Sequence, residues 1–131
     1  MNIVRSAPSA QELSDMYQRA GWIERPDIQQ MERSVEAPSE WFVARDTNNN
    51  LIGIGIVITD YVRYAFIVDV ITKSEYQKQG IASQIMNEIK TFCQDLKLES
   101  VNLWPSEGKV GFYENLGFYP LPPSQLHMKL K

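Results

Sequence analysis

Histidine and cysteine are almost missing. The 131 residues hold one of each, His127 and Cys93. A single cysteine excludes an internal disulfide and suits a reducing compartment. A single histidine argues against a histidine-based metal centre or a Ser-His-Asp triad. A basic excess is missing too: 13 Lys and Arg stand against 16 Asp and Glu, a formal net charge of −3. Dedicated nucleic-acid binders carry the opposite balance. No apolar run approaches the ~18–20 residues that cross a bilayer. The opening MNIVRSAPSAQ lacks the apolar core of a signal peptide. These absences predict a cytoplasmic protein with no metal, no nucleic-acid partner and no membrane partner. Repeats, low-complexity tracts and linkers are also lacking, which predicts a single domain over residues 1–131. What is present, 44% hydrophobic and 22% charged residues, suits a soluble chain with a real core.

NIVRS near the start reads as a strand. Leu13, Met16, Tyr17 and Ala20 recur at helical spacing, with Ser9 and Glu12 as a capping box and Gly21 as a stop. Pro26 to Val35 reads as a second, more polar helix opened by proline. EWFVARD and LIGIGIVITD flank the turn DTNNN and form a hairpin. YAFIVDVI is nearly all apolar, as in a strand buried on both faces. Ile81, Ile85, Met86, Ile89, Phe92, Cys93 and Leu96 make the stripe of a helix from about Gln79 to Leu96. SVNLW is a strand, Glu107 to Leu116 a helix stopped by Gly117, and FYPL and QLHMKL are two closing strands. The order predicts an α/β fold, a mixed and mostly antiparallel twisted sheet of about six to seven strands with helices on both faces.

The stretch VDVITKSEYQKQGIASQIM joins a buried strand to an amphipathic helix, with Gly80 and Ala82 in the helix's first turn. A helix start exposes unpaired N–H groups and the positive end of the dipole, and small residues let a phosphate approach them. The P-loop pattern is absent. Gly53 and Gly55 lie inside a strand, where glycine marks a bulge or close packing, and position 58 of a dinucleotide fingerprint is Ile.

Gln77-Lys78-Gln79-Gly80-Ile81-Ala82 resembles the [QR]-x-x-G-x-[GA] signature of the GNAT N-acetyltransferases. GFYENLGF, residues 111–118, is similar to that family's second signature, Phe-Tyr-x-x-x-Gly-Phe, at the family's spacing. Within the family, Asp60 to Phe118 most resembles small bacterial-type proteins near the arylalkylamine (serotonin-type) branch. The resemblance implies a single-domain GNAT fold and transfer of the acetyl group of acetyl-CoA to a primary amine, by direct attack through a tetrahedral intermediate. Gln77, Lys78, Gln79, Gly80, Ile81, Ala82 and Ser83 would hold the pyrophosphate. Val70 and Ile71 would pair with the pantetheine arm and offer an N–H to the oxyanion. Tyr113 would protonate the departing thiolate. Ser106 stands where the family has Asn, Lys109 where a small residue is usual, and Gln79 where a base is usual, with Lys78 beside it. Alternative functions are an acyl-CoA sensor without turnover and a transferase for protein lysines or N-termini. Family members are often dimers, so a homodimer paired through the C-terminal strand is also expected.

Asp69 is the one charge in AFIVDVI, and burying an unpaired carboxylate costs several kcal/mol, so it must be hydrogen-bonded or in use. It is the candidate base. Asp60 is a candidate for an acceptor's ammonium, or a turn residue. Trp22, Tyr64, Trp41 and Tyr61, with Glu24, Asp27 and Glu36, are candidates for an acceptor pocket, although aromatics more often belong to the core. Cys93 is expected in the core, and His127 on the surface or in packing.

Overall fold

The computed structural model describes residues 1–131. Five strands make one sheet in sequential order: β1 (Asn2–Val4), β2 (Glu40–Arg45), β3 (Leu51–Thr59), β4 (Tyr64–Thr72) and β5 (Ser100–Leu103). The first four run antiparallel and β5 runs parallel to β4. Four helices accompany them: α1 (Ala10–Arg19), α2 (Ile28–Glu36), α3 (Ile81–Asp95) and α4 (Val110–Asn115).

The helix starts follow the side chains. Ser9 Oγ accepts the Glu12 N–H at 3.1 Å and the Glu12 carboxylate accepts the Ser9 N–H at 2.9 Å, closing the capping box of α1. The same carboxylate takes two bonds from Arg45 of β2, at 2.7 and 3.0 Å, which ties the helix start to the sheet. α2 opens on Asp27, whose side chain accepts the N–H of Gln29, rather than on Pro26.

Strand alternation divides the core in two. On one face Leu13, Met16 and Tyr17 of α1 and Met31 of α2 cover Trp41, Val43, Ile54 and Ile56. On the other, Ile81, Ile85, Met86, Ile89 and Cys93 of α3 cover Phe42, Ile52, Val57, Ala65 and Ile67. Gly53 and Gly55 let α3 lie close. A Cβ on Gly55 would stand 2.8 Å from Ile85 Cγ2 and 3.0 Å from Ile89 Cδ1. Cys93 is in the core, and burial raises its thiol pKa.

Two expectations are corrected. FYPL and QLHMKL form no strands, so the sheet has five strands instead of six or seven. Pro120, Pro122 and Pro123 have no N–H to give a ladder, so the first of the two segments cannot serve as the second one's partner. Nor is β4 buried on both faces: Tyr64 and Phe66 are exposed.

Two irregularities set up the site. Between the pairs Ile56↔Val68 and Ile54↔Ile71, Gly55 faces two residues, Asp69 and Val70, so β4 bulges there with Asp69 at φ +53°. The β4–β5 ladder stops at Ile67↔Leu103, and beyond it the bulged end of β4 has no neighbour on that side.

Candidate active site

A cleft of about 660 Å³ lies where β5 leaves β4, between the end of β4, the start of α3, α4 and the end of α1. It brings together Trp22, Val70, Ile71, Gln77, Lys78, Gly80, Ile81, Ala82, Ser83, Ser106 and Tyr113. The start of α3 is open. Lys78 (φ +62°) and Gly80 (φ +79°) are both left-handed, and α3 has no side-chain cap. The first bond into the helix runs from Gln84 N–H to Gly80 O at 3.0 Å, which leaves the N–H groups of Ile81, Ala82 and Ser83 without partners. No atom lies within 4 Å of where a Gly80 Cβ would be.

The cleft is electropositive although the chain is not. Arg19, Lys73, Lys78 and Lys109 line it, and no carboxylate does. Thr72, on its floor, has a buried hydroxyl with no hydrogen-bond partner. Tyr113 stands edge-on to Phe112, with centroids 5.0 Å apart, and to Phe118 at 6.1 Å. Burial raises its phenol pKa, so it keeps its proton at neutral pH.

Asp69, the expected base, is not among the residues that line the cleft. Its Oδ2 accepts the hydroxyl of Tyr17, whose pKa is driven far up by burial and then by the bond to Asp69. Tyr17 also stacks on Trp22, with centroids 6.3 Å apart. Three more expected residues, Gln79, Asp60 and Tyr64, do not line it either. The Gln79 amide donates to Glu75 O at 3.4 Å. Asp60 caps the β3–β4 turn by accepting the N–H groups of Val62, Arg63 and Tyr64, which hold its carboxyl below the usual range. Tyr64 packs under the Arg63 guanidinium, 4.7 Å from its ring centroid. Of the aromatic candidates, Trp41 is core. Arg19, Lys73, Tyr76 and Tyr17 carry no site signal in the sequence: a lone cation in a helix or loop has no spacing signature, and Tyr17 sits on the α1 core stripe.

The Acetyltransferase (GNAT) family profile matches residues 7–118. The chain belongs to the GNAT acetyltransferase family. Among curated proteins, this GNAT chain is 23% identical over 114 residues to an uncharacterized N-acetyltransferase, ycf52, of Pyropia yezoensis, covering 85% of the chain and 65% of that protein. It is 28% identical over 74 residues to the chloroplastic GCN5-related N-acetyltransferase 2 of Arabidopsis thaliana, covering 56% of the chain and 29% of that protein. The chain thus spans 65% or less of the length of these two relatives. Its fold matches that of a protein of unknown function from meticillin-resistant Staphylococcus aureus at TM-score 0.86 and 22% identity, covering 99% of this chain and 98% of that one. A GNAT-family acetyltransferase of Streptococcus pneumoniae matches at TM-score 0.79 and 24% identity, with 99% and 96% covered. The profile shows the family and the solved structures show the fold, and neither singles out a branch. No helix is long and apolar enough to cross a membrane.

Proposed function

We propose that this GNAT chain transfers the acetyl group of acetyl-CoA to a primary amine. One observation carries the reading: four cations and three unpartnered N–H groups converge on a cleft that contains no carboxylate, in a chain with an acidic balance. Such a site suits a polyphosphorylated ligand, and the residues present fit coenzyme A. The N–H groups of Ile81 to Ser83 and the Lys78 side chain would hold the pyrophosphate. The β4 edge from Val68 to Thr72, without a strand beside it, offers main-chain groups to an extended arm. Thr72 supplies a hydroxyl on the cleft floor.

Acetyl-CoA supplies the activated thioester when bound. The chain has the proton work to do. An alkylamine with pKa ~10 is charged at neutral pH, and deprotonating it costs about 4 kcal/mol. Asp69 is the carboxylate at the bulge and serves as the base, directly or through water. Tyr113, a phenol whose pKa burial raises further, donates a hydrogen bond that stabilises the charge developing on the leaving sulfur. A main-chain N–H near Val70 or Ile71, at the bulged end of β4, would stabilise the oxyanion.

The test pairs titration calorimetry of acetyl-CoA with thiol release over a panel of amines. Tyr113→Phe is expected to lower kcat at least ~10-fold, about 1.4 kcal/mol of barrier, with the affinity for acetyl-CoA retained. Tight binding without turnover on any amine would favour the sensor. Turnover confined to peptides would favour a protein acetyltransferase. Absence of acetyl-CoA binding would sink the reading.

A further inference from the structure

α4 carries Tyr113, yet α4 by itself is a weak support. It has six residues, too few for a helix to be stable alone, and none of them is buried. Its sequence does fix the way it ends. Gly117 is left-handed at φ +99°, the Phe118 N–H reaches back to Tyr113 O at 3.1 Å, and the Gly117 N–H reaches Glu114 O at 3.0 Å. This is a Schellman cap, and its accompanying apolar contact is the Phe118 ring standing edge-on to Tyr113. The cap orients Tyr113 relative to α4. It does not place α4 relative to the cleft.

One side chain adds that placement. Lys90 of α3 donates from Nζ to Leu116 O, at the C-cap of α4, over 2.6 Å and in a partly buried setting. No other hydrogen bond or ion pair joins α3 to residues 104–118. The remaining contacts are the apolar ones of Phe112, Tyr113, Leu116 and Phe118 against the core under α3, and these have no direction of their own. The ammonium does have direction. A carbonyl at a helix end lacks a partner within the helix, and a cation there is favoured by the dipole and makes a charge-assisted bond. Lys90 lies nine residues past Ile81, about 14 Å along α3 at 1.5 Å per residue. It lines no part of the cleft. α3 thus presents its open N–H groups at its start and grips the helix that bears Tyr113 farther along.

We infer that Lys90 is a positioning residue: its ammonium holds α4 at a fixed place on α3 and so sets the phenol of Tyr113 against the leaving sulfur. This deepens the acetyl-transfer reading and rests on it. Lys90 acts through Leu116 and the cap, not on the reactants. Small misplacements of a reacting group cost rate, so a tether outside the cleft is felt inside it.

The experiment has two arms, both on the full chain. Lys90→Met keeps an unbranched apolar stem and removes the donor, while Lys90→Arg keeps a charged donor. In the first arm kcat is measured with the amine that turns over fastest, and acetyl-CoA affinity is measured by calorimetry. Lys90→Met is expected to lower kcat about 3- to 10-fold, with the Kd for acetyl-CoA within about twofold, and Lys90→Arg to recover most of the loss. In a Tyr113→Phe background the same Lys90→Met change is expected to move kcat by less than about 1.5-fold, because its effect passes through the phenol. A merely structural role would lower both backgrounds equally. The second arm needs no acetyl-CoA. The amides of Leu116, Gly117 and Phe118 are expected to exchange with deuterium about 3- to 10-fold faster in Lys90→Met than in the wild type, beyond any change in the β3 amides. Unchanged kcat in Lys90→Met, equal losses in both backgrounds, a loss seen in the Kd instead, or unaltered exchange would overturn the inference while wild-type turnover leaves acetyl transfer standing. A wild type that turns over no amine removes the transfer reading, and the positioning role with it, even where exchange confirms the tether.

Discussion

Asp69 makes two demands that substitutions separate. Its backbone is left-handed at φ +53°, and its carboxylate accepts the Tyr17 hydroxyl. A left-handed conformation costs an ordinary L-residue about 1–2 kcal/mol, while glycine and, in part, Asn and Asp tolerate it. A hydrogen bond to a charged group contributes about 1.5–3 kcal/mol. Asp69→Asn keeps the backbone tolerance and a neutral acceptor, and is expected to lose about 1 kcal/mol. Asp69→Gly loses the bond but relieves the backbone, for a net loss of about 1–2 kcal/mol. Asp69→Ala loses the bond and retains the backbone cost, for about 3 kcal/mol. The order of stability is therefore Asn, Gly, Ala. Urea unfolding followed by circular dichroism gives the differences as midpoint shifts at constant slope. Tyr17→Phe in the Asp69→Gly background should remove nothing further through this bond, while the same change in the wild type costs about 2 kcal/mol, and the difference is the coupling. An Ala variant as stable as the Gly variant would refute the role of the bulge, and additive losses would refute the bond.

Gly55→Ala should destabilise by about 1–3 kcal/mol, since overpacking against a helix forces the backbone to move, and wild-type stability in urea would contradict the close approach of α3. Glu12, bonded to Arg45, has its carboxyl pKa lowered to about 2, so the pair's stabilisation is present above the unfolded value near 4.5 and is lost as the pH falls toward 2. The pair is partly exposed, so Glu12→Gln is expected to cost only about 1 kcal/mol at pH 7, and thermal melts should show that difference vanish near the bottom of this window. Lys97 follows α3 at φ +56°, where glycine is the usual residue, and Lys97→Gly should raise the stability to urea by about 0.5–1 kcal/mol.

What the sequence shows well is periodic or punctuated. The capping box at Ser9, the α3 stripe, the Asp46–Asn50 turn and the β2–β3 hairpin are local, and a few neighbouring residues determine each. The open start of α3 was also legible, because a glycine after a polar loop and before an apolar stripe has few other uses. The closing strands were misread because QLHMKL alternates correctly, yet a strand needs a neighbour and the prolines remove the nearest one. Asp69's need for a partner followed from its burial, but Tyr17 lies 52 residues earlier on a helix stripe that reads as core. Arg19, Lys109 and the pair Lys73 and Lys78 come from three separate segments, and no local pattern links them.

The short β4–β5 ladder has a consequence for how the molecule breathes. β5 is held by four residue pairs on one side and by nothing on the other. β3, in contrast, has a strand on each edge and a helix over each face. Amides of residues 100–117 therefore exchange with deuterium through small local openings, while those of β3 exchange only when the whole chain unfolds. A ligand seated between α3 and α4 binds the closed form and slows both classes, but only the first exchanges fast enough to show it early. The corner of the sheet least committed to the fold is thus the one whose hydrogen exchange reports whether the cleft is filled.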